Sequence, residues 1–536
     1  GRRATPFRRC SIWNSSTDKY DSVPREEQRV DVTLTFDETD EGHIEFRLPL
    51  PEKAGLFMVR VQGQAIAPKL PVYPNRHERF FTAYLSATPE SPLKISWLGA
   101  SFDADDSPED FWQRGKVREL VMSRLPSRTE DLRRWAEHGV NSVTGISPNL
   151  AHQHGLKTRS WFTMNLMSPQ LGQERIEAMA AVNEDGSLRR PYDPLFPTVA
   201  DNWTACIENP LWIEYSKEVF RNMARQGYDG AHIDYAGHYE PCFCEYCHAA
   251  WERWAARFGL DGITLTQAMH SSDLRTQLLV REFRIQGVMR FLEDVRQAAR
   301  DIRPGFATDG TWHQDSASTY QWAYGDHYDL MCIEGTTWGP FPPEGTQLLM
   351  LKLAHALSER PDRRPPAMSV TYHLLHDDQG RMFHGRMAPD RLRIALAEII
   401  SQGAVSWKGL GGPQTGNLLT EHQDIVRAYY SLAREIEPLL VDAEDVAAIG
   451  IVFSPRSYLL TSAVRTQLYA IGQALLQAHV PFRIISDVDL KAEALNDLPG
   501  VVLLSAQALS DSACAALQEY VEGGGRALII GGDAAT

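Results

Sequence analysis

The stretch Gly227-Tyr-Asp-Gly-Ala-His-Ile-Asp-Tyr235, followed by Cys242-Phe-Cys244-Glu-Tyr-Cys247, decides how the rest of the chain is interpreted. Its first part has the character of a buried strand that ends in polar residues. Its second part is a C-x-C-x-x-C hook, and the remote Cys206 brings the number of thiols to four. Structural zinc takes four thiolates in tetrahedral geometry, so the pattern predicts a zinc site that braces an active-site strand.

Two other interpretations of these cysteines stay open: a pair of disulfides, or unrelated free thiols. Only Cys10, Cys332 and Cys514 lie elsewhere in the chain. The cysteine content of the whole chain is therefore far below that of a disulfide-stabilised scaffold. The zinc interpretation is therefore favoured. The metal is expected to mark the site rather than to carry out the chemistry.

Length and composition indicate a large globular protein. The 536 residues are 43% hydrophobic and 23% charged, enough for two or three domains with sizeable cores. The net charge of -15 disfavours a nucleic-acid partner, because phosphate backbones are bound by clustered Lys and Arg. The sequence contains no run of about 18 apolar residues, the length that would predict a membrane span. The first thirty residues lack the apolar core of a signal peptide, but the sequence begins without Met, so the compartment stays open, with the cytoplasm slightly favoured.

Residues 1–112 form the first of three compositional zones and have the pattern of β-structure. Short alternating or β-branched runs are separated by Pro, Gly and Asp. These runs are 30–36, 43–48, 56–62, 79–87 and 94–102. A β-sandwich domain is the simplest architecture for this zone.

Residues 113–436 alternate strand patterns with amphipathic helices, which indicates parallel βα units. The strand candidates are 120–125, 141–146, 158–166, 230–235, 306–310, 329–335, 367–373 and 404–409. Eight such units predict an α/β fold of the (β/α)8 TIM-barrel type with long loops, and this zone is expected to be the catalytic domain.

Residues 437–536 have the pattern of a small doubly wound α/β domain. Strand patterns at 446–453, 482–485, 501–504 and 527–530 are interleaved with helical patterns at 462–478 and 510–522. No G-x-G-x-x-G opens the first helix, and Gly523-Gly-Gly525 has the position of a helix C-cap, so nucleotide binding is not predicted.

Strand parity selects the candidate site residues, because barrel chemistry takes place at the C-terminal ends of the strands and side chains alternate between interior and helices. On the fourth strand, the apolar Ala231 and Ile233 are expected to face the helices, which leaves His232 and Asp234 inward. On the sixth strand, the same argument places Glu334 at the mouth.

The other inward candidates come from neighbouring strands. The seventh strand is expected to point His373 inward and Met368 outward. The remaining inward residues are Trp161 and Asn165 on the third strand, Asp309 on the fifth and Cys332 on the sixth. The mouth is thus predicted to be rich in acids, imidazoles and aromatic rings.

These candidates divide by chemistry. Asp234 and Glu334 are the catalytic candidates, with a loop cap and a structural salt bridge as their respective alternatives. The substrate-binding or supporting candidates are Asn165, His232, Asp309 and His373, and the aromatic candidates, for sugar stacking or for packing, are Trp312, Trp338 and Trp407. A carboxylate pair among aromatic residues suits glycoside cleavage, in which one acid attacks the sugar and the other protonates the leaving oxygen.

Several motifs resemble barrel glycoside hydrolases related to the family 42 β-galactosidases. Besides the strand and the hook, they are Cys206-Ile-Glu-Asn-Pro, Trp251-Glu-Arg-Trp254, Phe258-Gly259, Val501-Val-Leu-Leu504, Leu509-Ser, Tyr520-Val-Glu-Gly-Gly-Gly525 and Ile530-Gly-Gly532. In those enzymes a tetracysteine zinc site follows strand four, which implies Cys206, Cys242, Cys244 and Cys247 as ligands here. Their flavodoxin-like C-terminal domain builds a trimer, so the resemblance implies a homo-oligomer, with a trimer favoured.

The catalytic layout departs from family 42, whose enzymes end strand four in Asn-Glu and carry a nucleophilic Glu on strand seven. This chain has Ile233-Asp234 and a predicted seventh strand ending in Thr371-Tyr-His373. An Asp that ends strand four, with an acid on strand six, is similar to the clan of α-galactosidases. By that resemblance Asp234 is the nucleophile and Glu334 the acid/base of a retaining glycoside hydrolase acting on an oligo- or polysaccharide.

Two rival functions stay open. One is a catalytically inert saccharide-binding or scaffold protein built on the same barrel. The other is a zinc hydrolase of a different class, whose metal would need an open coordination position and mixed His and Asp ligands.

Overall fold

The structure is a computed structural model that describes the backbone of eight strands between residues 5 and 95 and most of the chain from residue 111 onward. From there the described residues are 111–121, 129–190, 202–234, 242–313, 328–334, 345–358, 365–370, 373–376, 382–385, 388–409, 420–441, 443–461, 463–488 and 490–531.

The N-terminal part contains two four-stranded antiparallel sheets. One has the order Thr5–Pro6, Thr33–Phe36, Ile44–Glu45 and Lys94–Ile95, and the other has the order Gln28–Val30, Arg9–Asn14, Gly55–Gln62 and Glu78–Leu85. Each of the five predicted runs overlaps at least one of these strands. β-structure is therefore present where the sequence predicts it, and the packing of the two sheets into a sandwich stays a prediction.

Eight parallel strands close into a barrel in the middle of the chain. Numbered barrel strands 1 to 8, they are Glu119–Val121, Ser142–Thr144, Lys157–Thr163, Gly230–Asp234, Ala307–His313, Met331–Glu334, Ala367–Val370 and Val405–Gly409. Every one of them overlaps a predicted strand. The prediction of an α/β chain with parallel sheets is confirmed, and the ends of these strands define the mouth of the barrel.

Helices cover the outside of the barrel, and their starts follow from capping residues. The helix Pro210–Arg225 begins after Asn209, whose side chain accepts a backbone N–H of the first turn, and the proline has no N–H to leave unpaired there. The other helices of this part are Thr129–Glu137, Pro148–Gln153, Gln173–Met179, Glu245–Ala256, Leu265–Met269, Leu274–Arg300, Thr346–Ser358, Pro389–Ser401, Thr420–Glu435 and Glu437–Leu440. Across the described residues, no helix combines the length and apolarity needed to cross a membrane.

Barrel strand 7 is shorter than predicted and has the opposite parity. It ends at Val370, and His373 instead begins the separate hairpin of His373–His376 with Met382–Gly385. The Met368 side chain lies inside the barrel, in one buried cluster with Cys332, its register partner on strand 6. The parity argument was wrong here because it assigned apolar side chains to the helix side, whereas the deep interior of this barrel is itself apolar.

The C-terminal part is a four-stranded parallel sheet with helices. Its strand order is Phe482–Ser486, Ile449–Phe453, Gly500–Leu504 and Arg526–Ile530, and its helices are Pro455–Leu460, Ala463–Gln477 and Asp511–Glu522. The strand order 2-1-3-4 begins the order that flavodoxin-like sheets have. All four predicted strands and both predicted helices overlap observed elements.

The helix Thr346–Ser358, which we call the docking helix, joins the C-terminal part to the barrel. Leu349 packs so close to Gly472 that a Cβ atom there would lie 2.6 Å from Leu349 Cδ1. Lys352 of the docking helix forms an ion pair of 2.8 Å with Asp445. Side chains of the barrel, the docking helix and the C-terminal sheet belong to one buried apolar cluster.

Candidate active site and metal centre

A fully buried ionic layer crosses the interior of the barrel. It consists of Glu119 on strand 1, Arg159 on strand 3, His232 on strand 4 and Asp309 on strand 5. Arg159 donates from Nε to Glu119 Oε2 at 2.8 Å, and its Nη1 lies 2.8 Å from Asp309 Oδ1. The same Oδ1 lies 2.9 Å from Nδ1 of His232.

The charges of the ionic layer stabilise one another. Burial raises the pKa of Asp309, but the positive charge of Arg159 and the contact with His232 outweigh burial, so this pKa lies below its ordinary value. Burial lowers the pKa of Arg159, but the negative charges of Asp309 and Glu119 raise it by a larger amount, so this pKa lies above its ordinary value. Two hydroxyl groups of strand 2 also donate to the Glu119 carboxylate. Such partners are what buried charges need in a low-dielectric interior.

The ionic layer changes how two predicted site residues are understood. His232 and Asp309 point inward as predicted, but both are fully enclosed and bound to each other. That arrangement suits groups that support a site from below, and their direct contact with a substrate stays a prediction. Sequence reasoning missed Glu119 and Arg159. Strand alternation could have identified Arg159, because this charged residue lies two positions before Trp161 on the same strand and therefore faces the same side.

Above the ionic layer, strands 3 and 4 carry accessible side chains. Asp234 ends strand 4, is partly exposed and lies in register with Thr163 of strand 3. Trp161 is in register with His232, and 38% of its surface is exposed. The Trp161 and His232 rings meet edge to face, with centroids 4.4 Å apart and an interplanar angle of 62°. The mouth therefore combines a carboxylate with an accessible aromatic ring.

Glu334 ends barrel strand 6, two strands away from Asp234. Strand 5 lies between them, and its residue His313 is in backbone register with Glu334. His313 is a further mouth position that the sequence analysis did not single out, because the predicted strand 5 stopped at Gly310. Both catalytic candidates are thus at the C-terminal ends of their strands, where barrel chemistry takes place.

The other substrate-binding candidates have less structural detail. Trp312 lies in barrel strand 5 and Trp407 in barrel strand 8, and His373 begins the hairpin beyond strand 7; for these three positions the backbone alone is described. Trp338 lies outside the described residues. Their contacts with a sugar stay predictions.

The predicted zinc ligands lie on the rim of the mouth, in the loops after strands 3 and 4. Cys206 follows the short strand Trp203–Thr204, and the hook opens the helix Glu245–Ala256. Asn165, just beyond strand 3, is buried, and its backbone carbonyl accepts the N–H of Ala205 at 2.7 Å. Asn165 therefore connects the end of strand 3 to the segment that carries Cys206, and its role as a substrate contact stays a prediction.

The four cysteines come together. Cys206 Sγ lies 3.5 Å from the Sγ atoms of both Cys244 and Cys247, and all four sulfurs lie within 4.8 Å of one another. The backbone N–H of Val182 donates to Cys242 Sγ at 3.2 Å. Zn–S bonds of about 2.3 Å in a tetrahedron place sulfur atoms about 3.8 Å apart. The cluster therefore has the spacing of a tetrathiolate metal site.

The alternatives to a metal fit this cysteine cluster less well. An S–S bond is about 2.05 Å long, and no disulfide joins the six cysteine side chains within the described residues. Four thiolates leave no open coordination position, so the cluster has the form of a structural site rather than that of a catalytic zinc centre.

A second group of donor atoms lies deeper in the barrel. Side-chain donors of His232, Asp309 and Cys332 also approach within 4.8 Å of one another. The Arg159 guanidinium, 2.8 Å from the Asp309 carboxylate, already places a positive charge there, which opposes a cation. We assign His232 and Asp309 to the ionic layer instead.

No protein-family profile and no curated protein matches this sequence. Solved structures do match. A β-galactosidase from the psychrophilic Marinomonas ef1 is 11% identical with a TM-score of 0.59, covering 77% of this chain and 75% of that chain. A β-galactosidase from Bacillus circulans sp. alkalophilus is 13% identical with a TM-score of 0.59, covering 79% and 71%. An α-L-fucosidase isoenzyme from Paenibacillus thiaminolyticus is 14% identical with a TM-score of 0.55, covering 77% and 64%. The predicted likeness to barrel glycoside hydrolases is confirmed at the level of the fold.

Proposed function

We propose that this protein is a retaining glycoside hydrolase that cleaves a glycosidic bond in an oligo- or polysaccharide. The observation that carries the proposal is the mouth formed by strands 3 and 4, where a partly exposed Asp234 stands beside an accessible Trp161. Glycoside cleavage uses a pair of carboxyl groups, for which Glu334 at the end of strand 6 is the second member, and aromatic side chains commonly line the sites that bind small ligands. The fold shared with β-galactosidases and an α-L-fucosidase supports the same reaction class.

In the first step, a carboxylate oxygen of Asp234 attacks the anomeric carbon while the bond to the leaving oxygen breaks. Glu334 donates its proton to that oxygen, so the aglycone departs as an alcohol. In the second step, the Glu334 carboxylate takes a proton from water. The water oxygen then attacks the anomeric carbon and releases the Asp234 carboxylate, with retention of configuration.

The strand positions are compatible with this division of roles. One strand separates strands 4 and 6, so the backbones of Asp234 and Glu334 are roughly 10 Å apart across the sheet. The register of strand 5 with its two neighbours also places Glu334 two residues, about 6.6 Å, further toward the mouth. A retaining mechanism requires the two side chains to shorten that span to a carboxyl separation of about 5–5.5 Å. An inverting enzyme would instead show roughly 6.5–9.5 Å.

Kinetics on aryl glycosides test the proposal. Asp234→Ala should abolish turnover of every glycoside, because no covalent intermediate can form. Glu334→Ala should spare substrates with activated leaving groups, and azide should accelerate this variant by replacing the water that needs a base. Saccharide binding without any turnover by the wild-type protein would contradict the proposal and favour the inert binding protein instead.

We further propose a structural zinc ion at the cysteine cluster and three functional domains, 1–112, 113–436 and 437–536. The C-terminal domain is proposed to build a homotrimer whose subunits close one another's clefts, as the resemblance implies. Light scattering on the intact chain is the test. A particle near the chain mass of 60.3 kDa at micromolar concentration would contradict the oligomer.

A further inference from the structure

Met164, the first residue after barrel strand 3, is held at both of its backbone polar groups. Its N–H donates to the carbonyl oxygen of Asp234 at 2.9 Å, and its own carbonyl oxygen accepts the indole N–H of Trp212 at 2.9 Å. Met164 is fully buried, so the loss of either partner leaves a polar group unsatisfied away from bulk water. Met164 therefore links the end of strand 4 to the outer helix Pro210–Arg225, which carries Trp212.

The link reaches strand 4 at the residue where its pairing ends. The register of strand 4 with strand 5 ends at Ile233, opposite Gly310, whereas the register with strand 3 continues to Asp234, opposite Thr163. The hydrogen bond from Met164 lies just beyond that last pair and falls on the proposed nucleophile itself. The backbone of Asp234 is therefore fixed mainly from the side of strand 3.

The Trp212 side chain is itself fixed by its surroundings. It is buried and stacks on two aromatic rings, Phe162 of strand 3 with centroids 6.3 Å apart and Tyr215 of its own helix with centroids 5.3 Å apart. The start of the helix is tied down as well, because Asn209 Nδ2 donates to the carbonyl oxygen of Ala178 at 2.8 Å. The indole N–H is thus a donor with a defined position.

We propose that Trp212 is a positioning residue for the nucleophile: through Met164 it fixes the backbone of Asp234 and thereby the placement of the carboxylate. The inference rests on the proposed function and adds to it a residue that packs on the outer side of strand 3. Without the indole N–H, the Met164 carbonyl oxygen has to find another partner, and the residue shifts to do so. The Asp234 backbone shifts with it, and a displacement of about 1 Å in a reacting group is enough to slow catalysis strongly.

A second tryptophan offers a matched control. Trp251 is also buried, and its indole N–H donates to the carbonyl oxygen of Ile263 at 2.8 Å. That bond joins the helix Glu245–Ala256 to the segment that follows it. The substitutions Trp212→Phe and Trp251→Phe therefore each remove one buried indole N–H from a backbone carbonyl, but only the first removes the link to Asp234.

Kinetics on aryl glycosides are the first test. Trp212→Phe is expected to lower kcat about 10- to 100-fold while KM changes less than about twofold, because the chemical step depends on the placement of the carboxylate and sugar binding does not. Trp251→Phe should keep kcat within about twofold of wild type. An unchanged kcat in folded Trp212→Phe overturns the proposal. Equal losses in both variants also overturn it, since they would indicate a general effect on packing.

Hydrogen exchange is the second test, and it does not depend on catalysis. The backbone amide of Met164 should exchange at least about tenfold faster in Trp212→Phe than in wild type, because the residue has lost one of its two backbone partners. In Trp251→Phe this rate should be unchanged. Mass spectrometry on overlapping peptides that differ by Met164 measures the rate. Equal exchange of this amide in all three proteins overturns the proposal.

The proposed function and this inference fail in different ways. If the wild-type protein cleaves no glycoside, the proposed function fails, and the exchange rates alone decide whether Trp212 holds the end of strand 4. If wild type cleaves glycosides and Trp212→Phe alters neither kcat nor exchange, the inference fails and the glycosidase function stands. Should Trp212→Phe not fold, the wild-type protein decides. Protection of the Met164 amide then supports the link, and exchange at the rate of an unfolded peptide overturns it.

Discussion

Barrel strands 4 and 6 each have one acid just before their start and one at their end, five residues apart: Asp229 and Asp234, Asp329 and Glu334. The two lower acids are buried and saturated with partners. Asp229 accepts the backbone N–H of Thr158 at 2.8 Å and pairs with Arg303. Asp329 likewise accepts a backbone N–H of strand 5, at 2.8 Å, and pairs with a buried arginine.

The upper acid of strand 4 has a different environment. Asp234 is partly exposed at the end of strand 4, whereas Asp229, just before the same strand, is buried and pairs with Lys157 and Arg303. The same residue type is therefore buried at the bottom of the barrel in one position and partly exposed at the mouth in the other. Location along the strand, together with burial, distinguishes the stabilising Asp229 from the proposed nucleophile Asp234.

The largest expected effect comes from replacing one of these two acids at a time by Asn. Asp234→Asn should lower kcat/KM at least about 10⁴-fold, because the nucleophile is lost, with a free energy of unfolding within about 0.5 kcal/mol of wild type. Asp229→Asn should do the reverse, losing about 1.5–3 kcal/mol of stability while folded molecules keep their kcat. Urea denaturation measures the stability of both variants, and aryl-glycoside kinetics measure their activity. Equal losses of activity in the two variants would contradict the distinction between Asp229 and Asp234.

A second substitution tests whether the ionic layer stabilises the fold, as the lower acids Asp229 and Asp329 do. Arg159→Met leaves the carboxylates of Glu119 and Asp309 buried without their cation, which should lower the free energy of unfolding by about 3–5 kcal/mol. Arg303→Met, which removes a half-exposed partner of Asp229, is the matched control and should lower stability less. The comparison needs revision if denaturant titration shows the two variants to be equally stable.

The metal site supplies a third, smaller effect. Cys244→Ser should abolish stoichiometric zinc, about one ion per chain, and lower stability by about 2–3 kcal/mol in buffer that contains free zinc at 100 times the Kd. Cys514→Ser, on the C-terminal helix Asp511–Glu522, is the control that should retain the metal. Elemental analysis and thermal denaturation measure both quantities. A wild-type protein without zinc would contradict the assignment.

The smallest expected effect depends on pH and concerns His355 of the docking helix. Burial, and then the charges of Arg114 and Lys352, lower the pKa of His355. The ordinary histidine pKa is about 6.5, so below this pH the unfolded chain binds a proton that the folded protein does not. Stability should therefore fall as the pH decreases from 6.5. Between pH 7.5 and about pH 5.5, wild type should lose about 1.4 kcal/mol more than His355→Leu, measured by urea denaturation at each pH.

Local pattern predicted which segments form strands, because alternation and turn residues act over a few neighbouring positions. Inward placement of His232 followed from its apolar neighbours Ala231 and Ile233. The same reasoning was wrong for Met368, since hydrophobicity alone does not distinguish the helix side of a strand from an apolar barrel interior. The contact of Glu119 with Arg159 reaches across strand 2, and that of Arg159 with Asp309 reaches across strand 4. Both depend on the spatial order of the strands, which no local pattern records.

The docking helix has a consequence for how this chain can be divided. Leu349, Met350 and Leu353 are buried in an apolar cluster that continues into the C-terminal sheet through Phe482 and Ile484. Expression of the barrel alone would leave that apolar cluster exposed to solvent. Aggregation of such a truncated protein would therefore result from the loss of the C-terminal part and would not indicate a defective catalytic site. In recombination among related genes, the docking helix and the sheet it contacts would have to be exchanged as one piece.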